Sequence, residues 1–452
     1  MRALAILAAS LLALACSPGG SVSTTAPPTT SSPSTTTGLD SRQIFERIAP
    51  SVAFVEGQLG TGSGLVVDEG YLITNLHVIW PGDTATITFS DGSSVVDAPV
   101  IGLDWMADLA LIDLGSGPVP EAVDLAEAVD LAIGSEVFLI GYPADTTGDP
   151  TPAITAGILS RVRDWDDAGV SFLQSDASIS GGQSGGALVA ESGQVIGLSG
   201  ASIGDGGLAL SLASPDVIEL VDALRRGEDR WGLGNRLLGD LLEGEATEVV
   251  LPHLLAEAVF VFDGEAGDPL RFTINADQPS SVFLTASDGY LEGSIEDTDA
   301  EKQLEVELGV DGPMFLSVIP IFDYDVAVEV ETDVELRLLS DPDHGQELRA
   351  GMVRFGNADY PGDFDWFTID LEEGDEVTIV VTTAGMDPGI TVDWVGNTGD
   401  EWVAFDSDSA GGVLGFDSEV NFTAPVSGEY LVAVADESAY GPGAYIVTVE
   451  VD

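Results

Sequence analysis

The chain has 452 residues, with 77 acidic and 14 basic side chains, a net charge of −63 and one cysteine. That length leaves room for several domains, and 44% apolar residues exclude wholesale disorder. The charge excludes a nucleic-acid partner, which needs a basic footprint, and a lone cysteine excludes a disulfide framework or a thiolate metal cluster.

Met1-Arg2 is followed by an apolar run from Ala3 to Leu14, shorter than the ~20 residues that span a bilayer. The run ends in Leu12-Ala13-Leu14-Ala15-Cys16, which resembles the lipobox of bacterial lipoproteins. The resemblance implies a signal peptide over 1–15, acylation of Cys16 and a lipid anchor at an extracytoplasmic membrane surface. An ordinary cleaved signal is the alternative, and would leave the protein secreted. Residues 16–38 are rich in Ser, Thr and Pro and carry no charge, the composition of an extended tether.

From Leu39 to about Arg230, short β-branched runs alternate with Gly- and Asp-rich turns. Strands are expected at Ser51–Glu56, Gly64–Val67, Tyr71–Thr74, Thr84–Phe89, Leu109–Leu114 and Glu136–Ile140. A helix over Ser41–Ile48, capped by Asp40 or Ser41, opens this region, and one over Pro215–Leu224 closes it. Such spacing predicts an antiparallel barrel or sandwich, not a βαβ fold. Trp231 to Thr247 reads as a Gly- and Leu-rich connector.

Beyond it the acidity deepens: residues 241–452 carry a net charge of −42, against −22 for 39–240. Two similar units follow at an offset of 107 residues, with Phe260-Val-Phe262-Asp263 matching Phe367-Thr-Ile369-Asp370. Each runs to a paired ending, Phe315–Val318 with Val326–Val330 and Tyr430–Val434 with Tyr445–Val449. Alternation such as Val377, Ile379, Val381 suits β-sandwiches, placed at 246–331 and 345–452. The second unit resembles the bacterial pre-peptidase C-terminal domain through Asp363-Phe-Asp365-Trp366-Phe367, Gly374-Asp375, Pro425-Val-Ser-Gly428-Glu-Tyr430 and Gly443-Ala-Tyr445. The first keeps that pattern only loosely.

Three segments carry chemistry. Thr74-Asn75-Leu76-His77 follows a Gly60-Thr-Gly-Ser-Gly64 stretch, Ala107-Asp108-Leu109 lies downstream, and Gly182-Gln183-Ser184-Gly185-Gly186 comes last. Ser184 Oγ becomes a nucleophile only when a neighbouring imidazole takes its proton, the role of His77. Asp108 would fix the ring tautomer, and the N–H groups of Gly182 and Ser184 would form an oxyanion hole. Gly-Gln-Ser-Gly-Gly formally satisfies the nucleophile-elbow pattern, yet the order His, Asp, Ser excludes an α/β-hydrolase.

With Gly134-Ser-Glu-Val137, Ile140-Gly141-Tyr-Pro143 and Thr155-Ala-Gly157-Ile158 between these segments, residues 44–224 resemble the HtrA/Deg branch of the trypsin-like serine proteases. The resemblance implies an all-β chain: a double β-barrel over 39–230 with the triad between barrels, followed by the two sandwich modules. It implies hydrolysis of protein or peptide substrates without a cofactor. Two departures stand out. Position 183 is Gln where this branch commonly has Asn, which leaves open how the oxyanion loop is braced. No PDZ-like segment follows the barrels.

By the same resemblance Ser178 lies at the floor of the substrate pocket. It is uncharged, so small or medium apolar residues are expected there rather than Arg or Lys. The pairs Asp363/Asp365, Asp406/Asp408 and Asp323/Asp325 read as solvated charge rather than calcium ligands, and His253 and His344 as surface residues. Two alternatives stay open: an inactive trypsin-like peptide-binding protein, and an adhesion or carbohydrate-binding protein using its sandwiches, with Trp394 and Trp402 as contacts. The acidity itself predicts greater stability at raised salt, where like-charge repulsion is screened.

Overall fold

Asp40 caps the first helix. In the computed structural model its carboxylate accepts from the Gln43 amide at 2.8 Å while the Gln43 side chain accepts from the Asp40 amide at 3.0 Å, a reciprocal box that starts α1 at Ser41–Ile48. The structure describes residues 38–452 except 59, 69, 118, 145–149, 204–207, 232, 234–241, 244–247, 252–256, 288–290, 298–300, 321–325, 340–342, 359, 398–401, 408, 414 and 437–442. The expected signal peptide, Cys16, most of the expected tether, His253, Asp323/Asp325 and Asp408 therefore lie outside the described residues.

Twelve strands follow α1 in two groups of six. The first holds β1 (Val52–Glu56), β2 (Thr61–Asp68), β3 (Tyr71–Thr74), the single turn α2 (Leu76–Ile79), β4 (Thr84–Phe89), β5 (Ser94–Asp104) and β6 (Leu109–Asp113). They close into a barrel of order β1-β2-β3-β6-β5-β4. The second holds β7 (Glu136–Gly141), β8 (Ala153–Trp165), β9 (Val170–Ser175), β10 (Ala187–Ala190), β11 (Val195–Ile203) and β12 (Leu208–Ala213), closed in the order β10-β11-β12-β9-β8-β7. Closure removes the exposed edges that strands this short would otherwise present. Helix α3 (Ser214–Arg225) ends the region, burying Val217, Leu220, Val221 and Leu224 along one stripe.

The C-terminal half adds four more sheets, so the chain is all-β apart from short helices. In one pair of sheets, Ala258–Gly264, Gly312–Pro320, Ser280–Ala286 and Leu291–Asp297 lie side by side, facing Glu248–Leu251, Val326–Thr332, Pro269–Ala276 and Glu301–Glu307. The next pair repeats this order with Phe364–Leu371, Gly428–Asp436, Pro388–Trp394 and Ala404–Ser407 facing Val353–Ala358, Gly443–Val451, Glu376–Thr383 and Ser418–Thr423. The strands expected as paired endings do not pair with each other. Gly312–Pro320 and Val326–Thr332 belong to opposite sheets, as do Gly428–Asp436 and Gly443–Val451, because each sheet needs the other to cover its inner face.

Both sandwiches also bury an outer face. Phe260, Phe262, Met314 and Leu316 fill the first sandwich's own core, whereas their neighbours Val259, Val261 and Phe315 join the core cluster of the barrels. In the second, Tyr445 and Val447 point inward while Ala444 and Ile446 join that same cluster. Continuous apolar runs such as Ala258-Val-Phe-Val-Phe262 fit strands covered on both faces.

Candidate active site

α2 carries His77 and the β5–β6 turn carries Asp108, each at the end of a first-barrel strand. His77 Nδ1 lies 2.6 Å from Asp108 Oδ2, and the His77 amide donates to Oδ1 at 3.0 Å. One carboxylate thus grips both the ring and the backbone of the same residue. With Nδ1–H donating to Asp108, Nε2 is the nitrogen left to accept a proton. Asp108 adopts the left-handed conformation, φ +49°, and its carbonyl accepts from the Leu76 amide at 3.1 Å and from Asn75 Nδ2 at 2.9 Å. These bonds hold a non-glycine residue in a sparsely populated region.

Burial is the strongest influence on the His77 imidazole and lowers its pKa; the charge of Asp108 and its hydrogen bond together outweigh burial, so His77 titrates above its ordinary 6.5. Each partner keeps about a third of its side-chain surface exposed, 38% for His77 and 32% for Asp108, so the pair opens to solvent.

Ser184 sits in the loop between β9 and β10, next to the first barrel. Its carbonyl accepts from the Ser63 amide at 2.7 Å, and its Oγ donates to the Gly200 carbonyl at 3.0 Å. The loop is tightly committed: Gln183 N donates to Ser180 O, Gly185 N to Ser199 O, and Gly186 N to Gln183 O. Among the described residues, no acceptor takes up the N–H of Gly182 or of Ser184. Gly182 (φ +85°) and Gly185 (φ +83°) both need the left-handed region, and a Cβ on Gly185 would stand 1.9 Å from the Ser63 carbonyl oxygen.

The brace at position 183 is a finding. Gln183 is buried, and its Oε1 accepts from both the amide and the hydroxyl of Ser180, at 2.8 and 3.1 Å. The side chain thus ties the loop to itself instead of reaching for a chain terminus. A second residue was missed in the sequence: Ser63, fully buried, donates through Oγ to the Gly182 carbonyl at 2.8 Å and accepts from the Tyr142 amide at 2.8 Å. Its position within Gly60-Thr-Gly-Ser-Gly64 was the available signal.

Ser178 is exposed, and its carbonyl accepts from Thr155 Oγ1 at 2.8 Å. The nearby Asp176 carboxylate accepts from the Ile158 amide at 2.6 Å, so that charge is engaged by backbone.

The expectation of solvated charge fails for Asp363 and Asp365, which are 1% and 0% exposed, and His344 is largely enclosed rather than a surface residue. They form a polar knot in the second sandwich: His344 Nε2 donates to the Phe364 carbonyl at 2.8 Å and the Tyr445 hydroxyl to Asp365. His344, Asp363 and Asp365 each offer a ligand atom within 4.8 Å of the others, although these hydrogen bonds already use Nε2 and one Asp365 oxygen. Trp394 packs half-buried against the second sandwich's core, and Trp402 is 37% exposed.

Residues 62–198, which contain His77, Asp108 and Ser184, match the family model of the trypsin-like peptidase domain. The chain is 30% identical over 232 residues to "Serine protease Do-like HtrA" of Lactococcus lactis subsp. cremoris (strain MG1363), covering 46% of this chain and 56% of that protein. It is 32% identical over 218 residues to "Serine protease Do-like HtrB" of Bacillus subtilis (strain 168), 45% of this chain and 47% of the relative. Over this region the chain is similar to the trypsin-like peptidase domains of HtrA-type serine proteases. A third relative of this domain is "Probable periplasmic serine endoprotease DegP-like" of Brucella suis biovar 1 (strain 1330), 36% identical over 182 residues, 37% of this chain and 34% of that protein. Among solved structures, "HtrA-type protease AlgW with tripeptide" is 28% identical with a TM-score of 0.38, over 41% of this chain and 64% of that one. The chain thus spans little more than half the length of the Lactococcus relative. No helix among the described residues is long and apolar enough to cross a membrane.

Proposed function

We propose that the chain is an extracytoplasmic serine endopeptidase acting on protein or peptide substrates, with Ser184 as nucleophile, His77 as general base and Asp108 as its orienting anion. The observation that carries this reading is the two-point grip of Asp108 on His77, which commits Nδ1 and leaves Nε2 to act. Ser184 Oγ, turned by rotation about its side chain from the Gly200 carbonyl toward Nε2, attacks the scissile carbonyl as His77 takes its proton. The tetrahedral oxyanion is met by the amides of Gly182 and Ser184. Collapse passes the proton from His77 to the leaving amine, and water then hydrolyses the acyl-enzyme with His77 again as base. Ser178 lines the pocket for the side chain before the scissile bond, and the engaged Asp176 supports a preference for uncharged residues.

The location is supported by the signal-like N-terminus and by the periplasmic designation of the Brucella relative. Cys16 is the proposed lipid attachment site, and the segment over 16–38 the tether that lifts the folded part from the membrane. The boundaries we propose are 39–230 for the peptidase domain, 345–452 for a pre-peptidase C-terminal-like module and, for the first sandwich, the expected 246–331 widened to 242–339, since the strands Leu242–Glu243 and Arg337–Leu339 pair within its sheet.

One observation favours the rival reading of an inactive peptide-binding domain: the Ser184 hydroxyl is bonded to Gly200. Digestion of an unfolded protein such as casein separates the two. Fragments from the wild type that vanish in Ser184→Ala and His77→Ala support the peptidase; no cleavage by well-folded wild type supports the rival.

A further inference from the structure

We infer that the two C-terminal sandwiches position the His77–Asp108 pair, holding the turn of His77 through Trp80, Phe315 and Tyr360 and the turn of Asp108 through Asp104, Trp231 and Phe355. The inference deepens the proposed function, since it rests on His77 being the general base.

The first thread starts where α2 ends. α2 is only four residues long and no side chain caps its N-terminus; the Asn75 side chain donates through Nδ2 to the Asp108 carbonyl. A single turn has little stability of its own and depends on packing. Trp80 closes it, its amide donating to the Leu76 carbonyl at 2.9 Å, and its indole is 4% exposed. That indole stacks on Phe315 of the first sandwich, ring centroids 6.4 Å apart and planes 17° apart. Phe315 in turn stacks on Tyr360 of the second sandwich at 5.3 Å and 16°. Tyr360 returns to the first sandwich, its hydroxyl donating to Glu257 at 3.2 Å. Three aromatic rings, one from each folded unit, thus form a buried column behind the turn that bears His77.

The second thread starts at Asp104, whose carboxylate accepts from the Ala107 amide at 3.0 Å and so shapes the turn ending in Asp108. Trp231 Nε1 donates to both Asp104 oxygens, at 3.1 and 3.2 Å. The Trp231 ring packs on Phe355 of the second sandwich, centroids 5.1 Å apart. Trp80 and Trp231 therefore lie between the two site turns and the sandwiches. The pair they support needs placement finer than an ångström, since misplacement of about that size costs on the order of a hundredfold in rate.

The test uses the full chain with Phe315→Leu, which keeps an apolar side chain but removes the stacking plane, and Phe315→Tyr, which restores it. Val447→Ala, in the second sandwich's own core and facing away from both threads, serves as a destabilising control. With only three histidines in the chain, isotope-labelled histidine lets the ring of His77 be titrated by NMR in a Ser184→Ala background. Asp108 is the charged partner acting on that ring, so a loosened pair reports as a changed titration. We expect Phe315→Leu to lower the His77 pKa, Phe315→Tyr to restore it, and Val447→Ala to lower the melting temperature without moving it. In the active background, kcat should fall between about ten- and a hundredfold in Phe315→Leu with KM little changed. An unmoved His77 titration in a folded Phe315→Leu protein, or an equal shift in Val447→Ala, overturns the inference. Loss of the shift and absence of catalysis are separate outcomes: a wild type with no peptidase activity but a Phe315-dependent His77 titration removes the proposed function and leaves the positioning intact.

Discussion

Ser63 of the first barrel holds Gly182 of the second: its hydroxyl donates to the Gly182 carbonyl at 2.8 Å while accepting from the Tyr142 amide at the same distance. The hydroxyl is fully buried and bridges the two barrels at the loop that carries Ser184. The bond from Ser63 fixes the Gly182–Gln183 peptide plane, while the Gly182 N–H shares its plane with the Gly181 carbonyl, which accepts from the Ala144 amide at 2.7 Å; the two adjacent planes are thus held from Ser63 and from Ala144. Ser63→Ala leaves a buried amide without its acceptor, at a cost of about 1–3 kcal/mol. We expect kcat at least about tenfold lower with KM changed little, as for loss of a group that acts only in the transition state. Steady-state kinetics on a peptide substrate check this; a proportional rise in KM with kcat intact contradicts it.

Gln183 performs the bracing from the other side of the loop. In Gln183→Ala the Ser180 amide and hydroxyl both lose their acceptor. The loop should loosen by about 1–3 kcal/mol and activity fall, without dependence on how the N-terminus is processed. Comparing variants with extended and trimmed N-termini tests the second half: activity that rises on trimming would mean that a new terminus, not Gln183, sets the loop.

The pH profile follows from the raised pKa of His77. A general base must be neutral, so kcat/KM should fall on the acid side through a pKa above 6.5. Asp108→Asn removes both influences that raise it and leaves burial, so the limb should move to lower pH and the rate drop by about 10⁴-fold. Stability runs in the opposite sense. A folded pKa above the unfolded value gives stabilisation that is full below 6.5 and lost as pH rises through the folded pKa. Melting temperature and kcat/KM measured over the same pH series should therefore diverge, and Asp108→Asn should reduce that divergence.

Asp417 gives a second pH signature, at the contact between the β8–β9 hairpin and the second sandwich. There Trp165 Nε1 donates to Thr382 Oγ1 at 3.1 Å and Arg163 donates to the Val413 carbonyl. Burial pushes Asp417 up to about 6, with the charge of Asp167 adding to it against the lowering bond from the Thr383 amide. Its folded pKa exceeds the ordinary 3.8, so its stabilisation is full below that value and lost as pH rises through about 6. The loss amounts to up to about 3 kcal/mol. Asp417→Asn should flatten the melting temperature between pH 4 and pH 8 and raise it near pH 7.5. An unchanged pH slope in that variant contradicts the assignment.

Much of the peptidase domain was legible because its signals are local. Tyr71–Thr74 and Thr84–Phe89 appear as expected, and the Asp40 cap starts α1 at Ser41. Order and spacing singled out His77 and Asp108, which the fold brings together at 2.6 Å. The misses are long-range. The expected pairing of Phe315–Val318 with Val326–Val330 fails, because adjacency along the chain does not decide which sheet a strand joins. Burial of Asp363 and Asp365 was hidden by an acidic background in which any carboxylate looks solvated. Gln183 pointed to a question and not to its answer, since Ser180 can be reached only once the loop has folded back on itself. The Trp80–Phe315 stack joins residues 235 positions apart in sequence. Its trace was the unbroken apolar run at Met314-Phe-Leu316, which marks a strand with two buried faces but not what covers them.

Reaction with a fluorophosphonate probe, followed by mass-spectrometric mapping of the adduct, probes Ser184 as the nucleophile without need of a known substrate. The probe is attacked only by a serine whose proton a neighbouring base removes. We expect one adduct on Ser184 in the wild type, none in His77→Ala, and a rate that rises with pH through the His77 titration. A folded wild type that takes up no probe, or an adduct on another residue, would contradict Ser184 as the nucleophile.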